Sequence, residues 1–517
     1  MIMTKNIYIS TLLFSALGLG SVDAQMSRHQ KNLLFEADIY YTQGDYYYAA
    51  ELYTELAKVS PKDRELLGKL GICYFNLPPL RQESQRYLKL AVEYGDTESM
   101  YYLAKRYAEE YRFIDALSLL DSYANKADRT RSAEEIAYAR GCAERAKQMV
   151  QAPLSISIHN LGDQVNSPLH DYAPVWDRNG NRIYFTSRRR YDNTSEKDIS
   201  EQYDENIFVL DLKSESPAAV AAPEPLNTRL NDAAVACSND GSSLMIFRTR
   251  KDGYSGDLYE AQKNIYSWTN LEKLAGDINS KYHETSATYG SVDESVLIIS
   301  SDRPGGYGGK DLYRIQKLPN GDWGQAENLG PEINSTYDED GPFVSADGTL
   351  YFASKGHTTI GGYDIFSAPI LNNGWGSPRN MGYPINTPGD DIFFVIDPTG
   401  VTAYFSSERI GGFGLQDIYR ATIDEATTII YHGELVSGDT PLGHQARVSL
   451  INESNGKVEG IFRTDPQEQS FVLALHTNKT YTLVVEAEGY KTFEKTVFFE
   501  EIASNPEEIR ERLSLSK

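Results

Sequence analysis

Asp338-Glu339-Asp340 and Asp390-Asp391 put carboxylates side by side, the residue type that cation binding and acid–base hydrolysis both use. Neither group has the spaced, alternating ligand positions of a calcium loop. His283-Glu284 lacks the second His that a zinc-peptidase helix carries, and the eight His are scattered without ligand spacing. There is no Gly-x-Ser-x-Gly elbow. The stretches Gly305-Gly-Tyr-Gly-Gly309 and Gly411-Gly-Phe-Gly414 could cradle phosphate. Each precedes an apolar run at the same place in a repeat, however, and so reads as a loop. Asp311, Asp364 and Asp417 recur with that repeat. A catalytic acid is needed once, so these read as residues that accept hydrogen bonds from neighbouring loops. No catalytic residue, cofactor-binding residue or metal ligand is assigned, and no cofactor is expected.

The repeat behind these residues is a block of about 53 residues that recurs five times between Leu161 and Arg420. Each block opens on Asn followed by a small polar residue: Asn166-Ser167, Asn231-Asp232, Asn279-Ser280, Asn334-Ser335 and Asn386-Thr387. Two apolar runs follow around a turn such as Asn179-Gly180, Asp240-Gly241 or Asp347-Gly348, which predicts a hairpin. A third strand starts at Asn206, Asp257, Asp311, Asp364 or Asp417, and a fourth is expected near Trp268, Trp323 or Trp375. Four short strands repeated radially predict a β-propeller over residues 152–425. The last block lacks a fourth strand, and Leu154 to Gly162 matches that slot. The N-terminal strand is therefore expected to close the ring, which removes an exposed edge. Five blades fit the count, and the charged insert Arg188 to Glu205 leaves six as the alternative.

Residues 25–151 show helical periodicity with a repeat of about 34 residues, the tetratricopeptide (TPR) length. Leu33, Ala37, Tyr40, Ala49, Tyr53 and Pro61 fill the first copy, Leu67, Leu70, Gly71, Tyr74 and Tyr87 the second, and Met100, Leu103, Ala104, Tyr107, Ala116 and Leu120 the third. Such an all-α solenoid has a concave groove, onto which the register places Asp38, Tyr41, Asn76, Glu98, Tyr101, Lys105 and Glu109 as candidate partner-binding residues. Residues 426–517 alternate in six or seven short runs separated by Gly438-Asp439, Pro441 and Asn455-Gly456, which predicts a small β-sandwich.

Residues 1–24 read as a cleavable signal peptide, with Lys5, an apolar run from Ile7 to Gly20, and Val22-Asp23-Ala24 before Gln25. No Cys follows the cut, so no lipid anchor is expected. Cys73, Cys142 and Cys237 are placed too far apart in the pattern to pair, and are expected as free thiols. A net charge of −23 disfavours nucleic acid and anionic membrane surfaces as partners.

The three modules in this order resemble a PorE-like, OmpA-family group of Bacteroidota envelope proteins. Its members carry a TPR domain, a WD40/TolB-like propeller and a carboxypeptidase regulatory-like domain. The likeness rests on the Asp-Gly-x-Leu-Tyr-Phe run at Asp347 and the Gly-Gly-Tyr-Gly-Gly-Lys-Asp-Leu-Tyr run at Gly305. It rests also on Asn-Leu-Gly-x-x-Ile-Asn-Ser at Asn328 and, in the last module, on Thr440-Pro441-Leu442, Thr464-Asp465 and Ala487-Glu-Gly-Tyr490. The resemblance implies a non-enzymatic scaffold or adaptor in an envelope complex, such as type IX secretion or outer-membrane assembly machinery. It would be periplasmic or at the cell surface, peripheral to the outer membrane, with envelope proteins as partners and membrane contact only through them. Two departures stand out. Gln469 replaces the Gly usual two residues before the Phe, so that turn is expected to differ. No OmpA-type peptidoglycan anchor is found, so tethering to the cell wall is not implied. A binding module for glycan or peptidoglycan fragments on the propeller is the alternative, and a propeller hydrolase a further one.

Overall fold

The computed structural model describes residues 26–517 except 155, 178, 180, 193–194, 199–201, 215–216, 251–254, 265–266, 372–373, 424–427, 439, 444, 454–455, 465–468, 477–479 and 499–507. The expected leader and the motif residues Gly180, Asp439, Asn455 and Asp465 lie outside the described residues. The chain falls into two compact units, Met1–Ser99 and Met100–Lys517. No helix among the described residues is long and apolar enough to cross a membrane.

The first unit holds helices α1 (Arg28–Gln43), α2 (Tyr46–Val59), α3 (Arg64–Phe75) and α4 (Arg81–Glu93). Local chemistry sets their ends. Ser27 and Gln30 form a reciprocal capping box, and Gly44 ends α1 at φ 77°, a left-handed conformation that costs glycine nothing. Asp45 and Asp63 cap α2 and α3. Ala37, Ala49, Tyr53, Leu56, Leu70 and Cys73 form the core. At Gly71 an added Cβ would meet Leu88 at 2.9 Å, so that glycine lets α3 and α4 approach closely.

In the second unit α5 (Glu98–Glu109), α6 (Phe113–Ala124) and α7 (Ala133–Gln151) lead into five four-stranded antiparallel sheets. Their first strands are Asp171–Asp177, Asp232–Cys237, Glu284–Tyr289, Glu339–Val344 and Asp391–Ile396. Each first strand neighbours the first strand of the next sheet, and the fifth neighbours the first, so the sheets stand in a ring around these strands. In the first four sheets the strands follow sequence order. The fifth runs Asp391–Ile396, Thr402–Ser407, Asp417–Ile423 and then Ile156–Asn160, whose register pairs Ile156 with Ile423 and Asn160 with Tyr419. The strand ahead of the ring thus completes its last sheet.

The repeated polar residues tie each sheet to the one before it. Asn334 accepts from the Leu312 amide at 2.8 Å and donates to the Leu312 carbonyl at 3.0 Å. Asn166 does this with Ile418, Asn279 with Leu258 and Asn386 with Ile365. In the second sheet the residue is Asn227, bonded to Ile207, which corrects the assignment to Asn231. The next residue, Ser or Thr, donates from both its amide and its hydroxyl to the acid that opens the first strand: Ser167 to Asp171, Thr228 to Asp232, Ser280 to Glu284, Ser335 to Glu339 and Thr387 to Asp391.

Asp311 accepts from the amides of Tyr307 and Gly308 in the glycine-rich loop and from Asn328, so the loop reading of that stretch holds. Asp417 likewise accepts from Gly414 and Asn160. Trp375 is not on a fourth strand: Gly374–Trp375 pairs with Ile370–Leu371 in a side hairpin, and Arg379–Asn380 completes the fourth sheet.

The last module has two four-stranded sheets sharing a core of Tyr431, Leu435, Val448, Leu473, Leu483 and Val485. Glu508–Ser514 joins one of them parallel to Thr428–Ser437. The turn at Gln469 does not abandon the glycine-like backbone: Gln469 takes φ 53° itself.

Candidate functional site

The five first strands surround a cavity of 460 Å³ at the centre of the ring. Each of these strands carries a register shift against its neighbour: between Tyr172 and Val175, Ala234 and Ala236, Glu284 and Ser286, Asp340 and Phe343, and Ile392 and Val395. Such bulges re-aim side chains and commonly flank binding sites. Three of them contain residues at positive φ: Ala173 at 52°, Gly341 at 58° and Phe393 at 59°. For Ala and Phe this conformation is strained, and the surrounding ring must hold it. The released amides are satisfied across sheets, Ala173 N by Ser406 Oγ at 3.1 Å and Ala234 N by Thr186 Oγ1 at 3.0 Å.

Polar groups gather along this wall where the first strands begin. Lys310 Nζ pairs with Asp340 Oδ2 at 2.7 Å and donates to Thr285 Oγ1 at 3.1 Å. Ser286 Oγ donates to Asp340 Oδ1, which also accepts from the Gly341 amide at 2.8 Å. Burial pushes the Asp340 carboxyl up, but Lys310 and these donors outweigh it and hold it below the usual carboxylate range. Burial likewise works against the charge of Lys310, and Asp340 overrides it, so the ammonium titrates above its ordinary value. Both groups therefore stay ionised at neutral pH. Tyr172 donates to Glu205 at 2.6 Å, and burial with that carboxylate raises its phenol well above the ordinary value. Arg188, another lining residue, is held by the Tyr203 carbonyl at 2.9 Å and Asp198 at 2.6 Å. The Tyr172 and Phe393 rings lie 6.0 Å apart and form an aromatic wall.

These fixed donors and acceptors beside aromatic surface suit recognition of a hydroxyl-rich molecule. With Asp340 and Lys310 both ionised, they are poorly placed to exchange protons near neutrality. The adjacent carboxylates do not share one site. Asp338 pairs with Lys355 at 3.0 Å, Glu339 accepts from Ser335 and Ser354, and Asp340 faces Lys310. Asp390 accepts from the Tyr363 amide at 2.7 Å. No group of three potential metal ligands occurs among the described residues.

The expected groove residues have varied settings. In the first unit Asp38 accepts from Tyr53 at 2.6 Å and from Lys69 at 2.8 Å. Tyr41 packs edge-on against Tyr46 and Tyr53, and Asn76 caps α3 through the Ile72 carbonyl. Glu98 is half-buried in the first turn of α5. In the second unit Lys105 is exposed and Glu109 pairs with Arg106. Tyr101 is corrected: it is only 9% exposed, packed against Tyr102 and Tyr123 with Arg131 over its ring, because its helix face turns inward. Cys73, Cys142 and Cys237 are free thiols, and Cys237 lines the central cavity.

The cavity residues had a signal in the sequence, which was variation inside the repeat. Before the third strands, the lining residues Glu205 and Lys310 stand where the other sheets have Gly256, Tyr363 and Gln416, and after the opening acids the lining residues Tyr172, Ala233, Thr285 and Asp340 stand where the fifth sheet has Ile392. The tying residues recur; the lining ones differ.

The chain matches no protein-family model and no curated protein. It is similar to solved structures of propeller enzymes. One is an endo-arabinase from Bacteroides thetaiotaomicron, with 13% identity over 50% of this chain and 95% of that one at a TM-score of 0.34. Another is an α-L-arabinofuranosidase from Lactobacillus brevis, with 12% identity, 51% and 94% coverage and a TM-score of 0.33. A third is a gluconolactonase from Xanthomonas campestris, with 13% identity, 52% and 96% coverage and a TM-score of 0.30. The expectation of a non-enzymatic scaffold is corrected here. The residues that differ between the sheets bring polar groups together at the wall of one central cavity of 460 Å³, which is the form of a ligand site rather than of a plain docking scaffold.

Proposed function

We propose that the ring is a five-bladed β-propeller that binds a glycan, with one sugar unit seated in the central cavity. The observation that carries this reading is the cavity itself. It has 460 Å³ of space, with Lys310, Asp340, Thr285 and Ser286 at one part of its wall and Tyr172 and Phe393 at another. A sugar offers hydroxyls that both donate and accept, and C–H faces that pack on aromatic rings. A concave site with few, fixed polar groups among apolar walls is the ordinary form of a small-molecule site. The ion pair provides charge-assisted hydrogen bonds, which are stronger than neutral ones.

Calorimetric titration against a panel of neutral and acidic oligosaccharides, with released reducing ends measured in parallel, tests the reading. The double variant Lys310→Met/Asp340→Asn avoids leaving one buried charge alone. At least one glycan should bind the wild type, and the double variant should bind it at least tenfold more weakly, the equivalent of about 1.4 kcal/mol. Absence of binding across the panel, or undiminished binding by the variant, would overturn it. Reducing ends released by the wild type and not the variant would extend the reading to hydrolysis. We propose also that the chain is exported, supported by the leader pattern before Gln25. N-terminal sequencing of the protein from its native cells should begin at Gln25, and an intact Met1 would refute export by cleavage.

A further inference from the structure

A second cavity, of 220 Å³, lies where the fifth sheet, the α5–α6 turn and the C-terminal module meet. Its apolar wall includes Leu154, Ile156, Ile158, Leu450, Ile461 and Phe462. Three tyrosines line it, Tyr111, Tyr383 and Tyr419, together with Arg409, whose guanidinium lies 4.8 Å from the centre of the Tyr419 ring.

The polar atoms here are unusually idle. Tyr419 is 4% exposed, and its buried hydroxyl has no hydrogen-bond partner among the described residues. The nearby Asn160 donates to Asp417 and accepts from Gly162 and Asn166, and its remaining Nδ2 hydrogen faces the phenol oxygen, so the Tyr419 O–H itself is left without an acceptor. The Tyr111 and Tyr383 hydroxyls also make no hydrogen bond among the described residues; their rings meet edge-on at 6.3 Å. Arg409 donates through Nε to Ser407, through Nη1 to the Pro384 carbonyl, and through Nη2 to the Ile385 carbonyl and Asp391. A guanidinium carries five N–H groups, so one Nη1 hydrogen remains. An unmade hydrogen bond in a buried site is costly, and such groups call for an explanation.

Tyr111 adds an independent sign. Helices α1, α4 and α5 all close with the same pair of backbone bonds, in which the residue past the helix end sits in the left-handed region. That residue is Gly44 after α1 and Gly95 after α4, at φ 77° and 91°. After α5 it is Tyr111, at φ 62°. A tyrosine is strained where glycine is not, and strain of this kind gathers at ligand clamps. The residue that this strained position retains is one that lines the cavity.

We propose that this cavity is a binding site for a small organic carboxylate, separate from the central cavity. Three phenol O–H groups and one guanidinium N–H match the four lone-pair positions of a carboxylate, and the aliphatic wall takes the remainder of the molecule. Glu459 also lines the cavity, with its carboxylate held by Asn452. A volume of 220 Å³ is well above what a single water needs. It suits an acid about the size of phenylacetate.

The test is thermal unfolding and calorimetric titration of the full chain with phenylacetate, and with phenylacetamide as the isosteric control. Phenylacetate should raise the Tm of the wild type in a saturable way, and phenylacetamide should bind at least tenfold more weakly. Tyr383→Phe/Tyr419→Phe should lower phenylacetate affinity at least tenfold while leaving the ligand-free Tm unchanged or higher, since only idle hydroxyls are removed. No response to phenylacetate, equal binding of the amide, or undiminished binding by the double variant would overturn the proposal. So would a large fall in the ligand-free Tm of Tyr419→Phe, which would mean that the hydroxyl serves the fold.

Discussion

Four of the five acids that open the sheets have an arginine partner. Arg189 meets Asp171 at 2.5 Å, Arg303 meets Glu284 at 3.1 Å, Arg409 meets Asp391 at 3.0 Å, and Arg248 meets Asp232. Glu339 has none. The Ser-x-Arg of sheets one, three and five becomes Ser354-Lys355-Gly356, and Lys355 turns to Asp338. Burial then raises the Glu339 carboxyl to about 7, against the hydrogen bonds from Ser335 and Ser354. The folded protein holds a proton there that the unfolded chain releases near 4.5. Stability should therefore fall as pH rises from about 4.5 to about 7 and level off above, a loss on the order of 3 kcal/mol from this group. Glu339→Gln stays neutral and should remove that slope. Denaturant titrations of both proteins at pH 5 and pH 8 measure it, and an unchanged difference between wild type and variant at the two pH values would show that Glu339 ionises freely.

Buried asparagines add to the strands' own hydrogen bonds in tying each sheet to the next. Asn227 is fully buried and bonds the Ile207 amide, the Ile207 carbonyl and the Ala222 carbonyl. Asn231, four residues on, accepts from the Glu205 amide and is half-buried. Asn227→Ala should cost on the order of 2–4 kcal/mol, because it strands several buried backbone groups, and Asn231→Ala about 1 kcal/mol. Equal losses in chemical denaturation would return the repeat phase to Asn231. Ring closure is a second test at this scale. Removing residues 152–162 takes away the strand Ile156–Asn160 and leaves the edge at Asp417–Ile423 open. That deletion should lower the Tm far more than trimming the insert between residues 191 and 197.

At the scale of the second unit, α7 is bound to the ring rather than merely joined to it. Tyr138 donates to the Lys355 carbonyl and stacks on Tyr337 at 4.6 Å. Arg145 donates twice to the Thr359 carbonyl, at 2.9 and 2.7 Å, and Phe113, Ala146 and Ile360 share a small core. The helix pattern ends near residue 151, yet packing groups the residues from Met100 onward with the sheets. Tyr138→Ala/Arg145→Ala should therefore destabilise the ring itself, at a cost of several kcal/mol. Scanning calorimetry should show the main transition moving down. A separate early transition with the main one unmoved would mean that α7 unfolds independently.

Local order was legible in the residues alone because its causes are short-range. The turn at Asp347-Gly348 and the fourth-strand match at Leu154 to Gly162 both depend on neighbours within a few positions or on a repeated pattern. Three matters needed the folded chain. Asn227 and Asn231 both precede a polar residue, and only the reach to Ile207 separates them. Tyr101 fits a groove by repeat register, but packing against Tyr123 buries it. The central cavity joins Tyr172, Lys310, Asp340 and Phe393, which are more than two hundred positions apart at the extremes. Their juxtaposition comes from closing five sheets into a ring, a constraint that no local pattern of residues encodes.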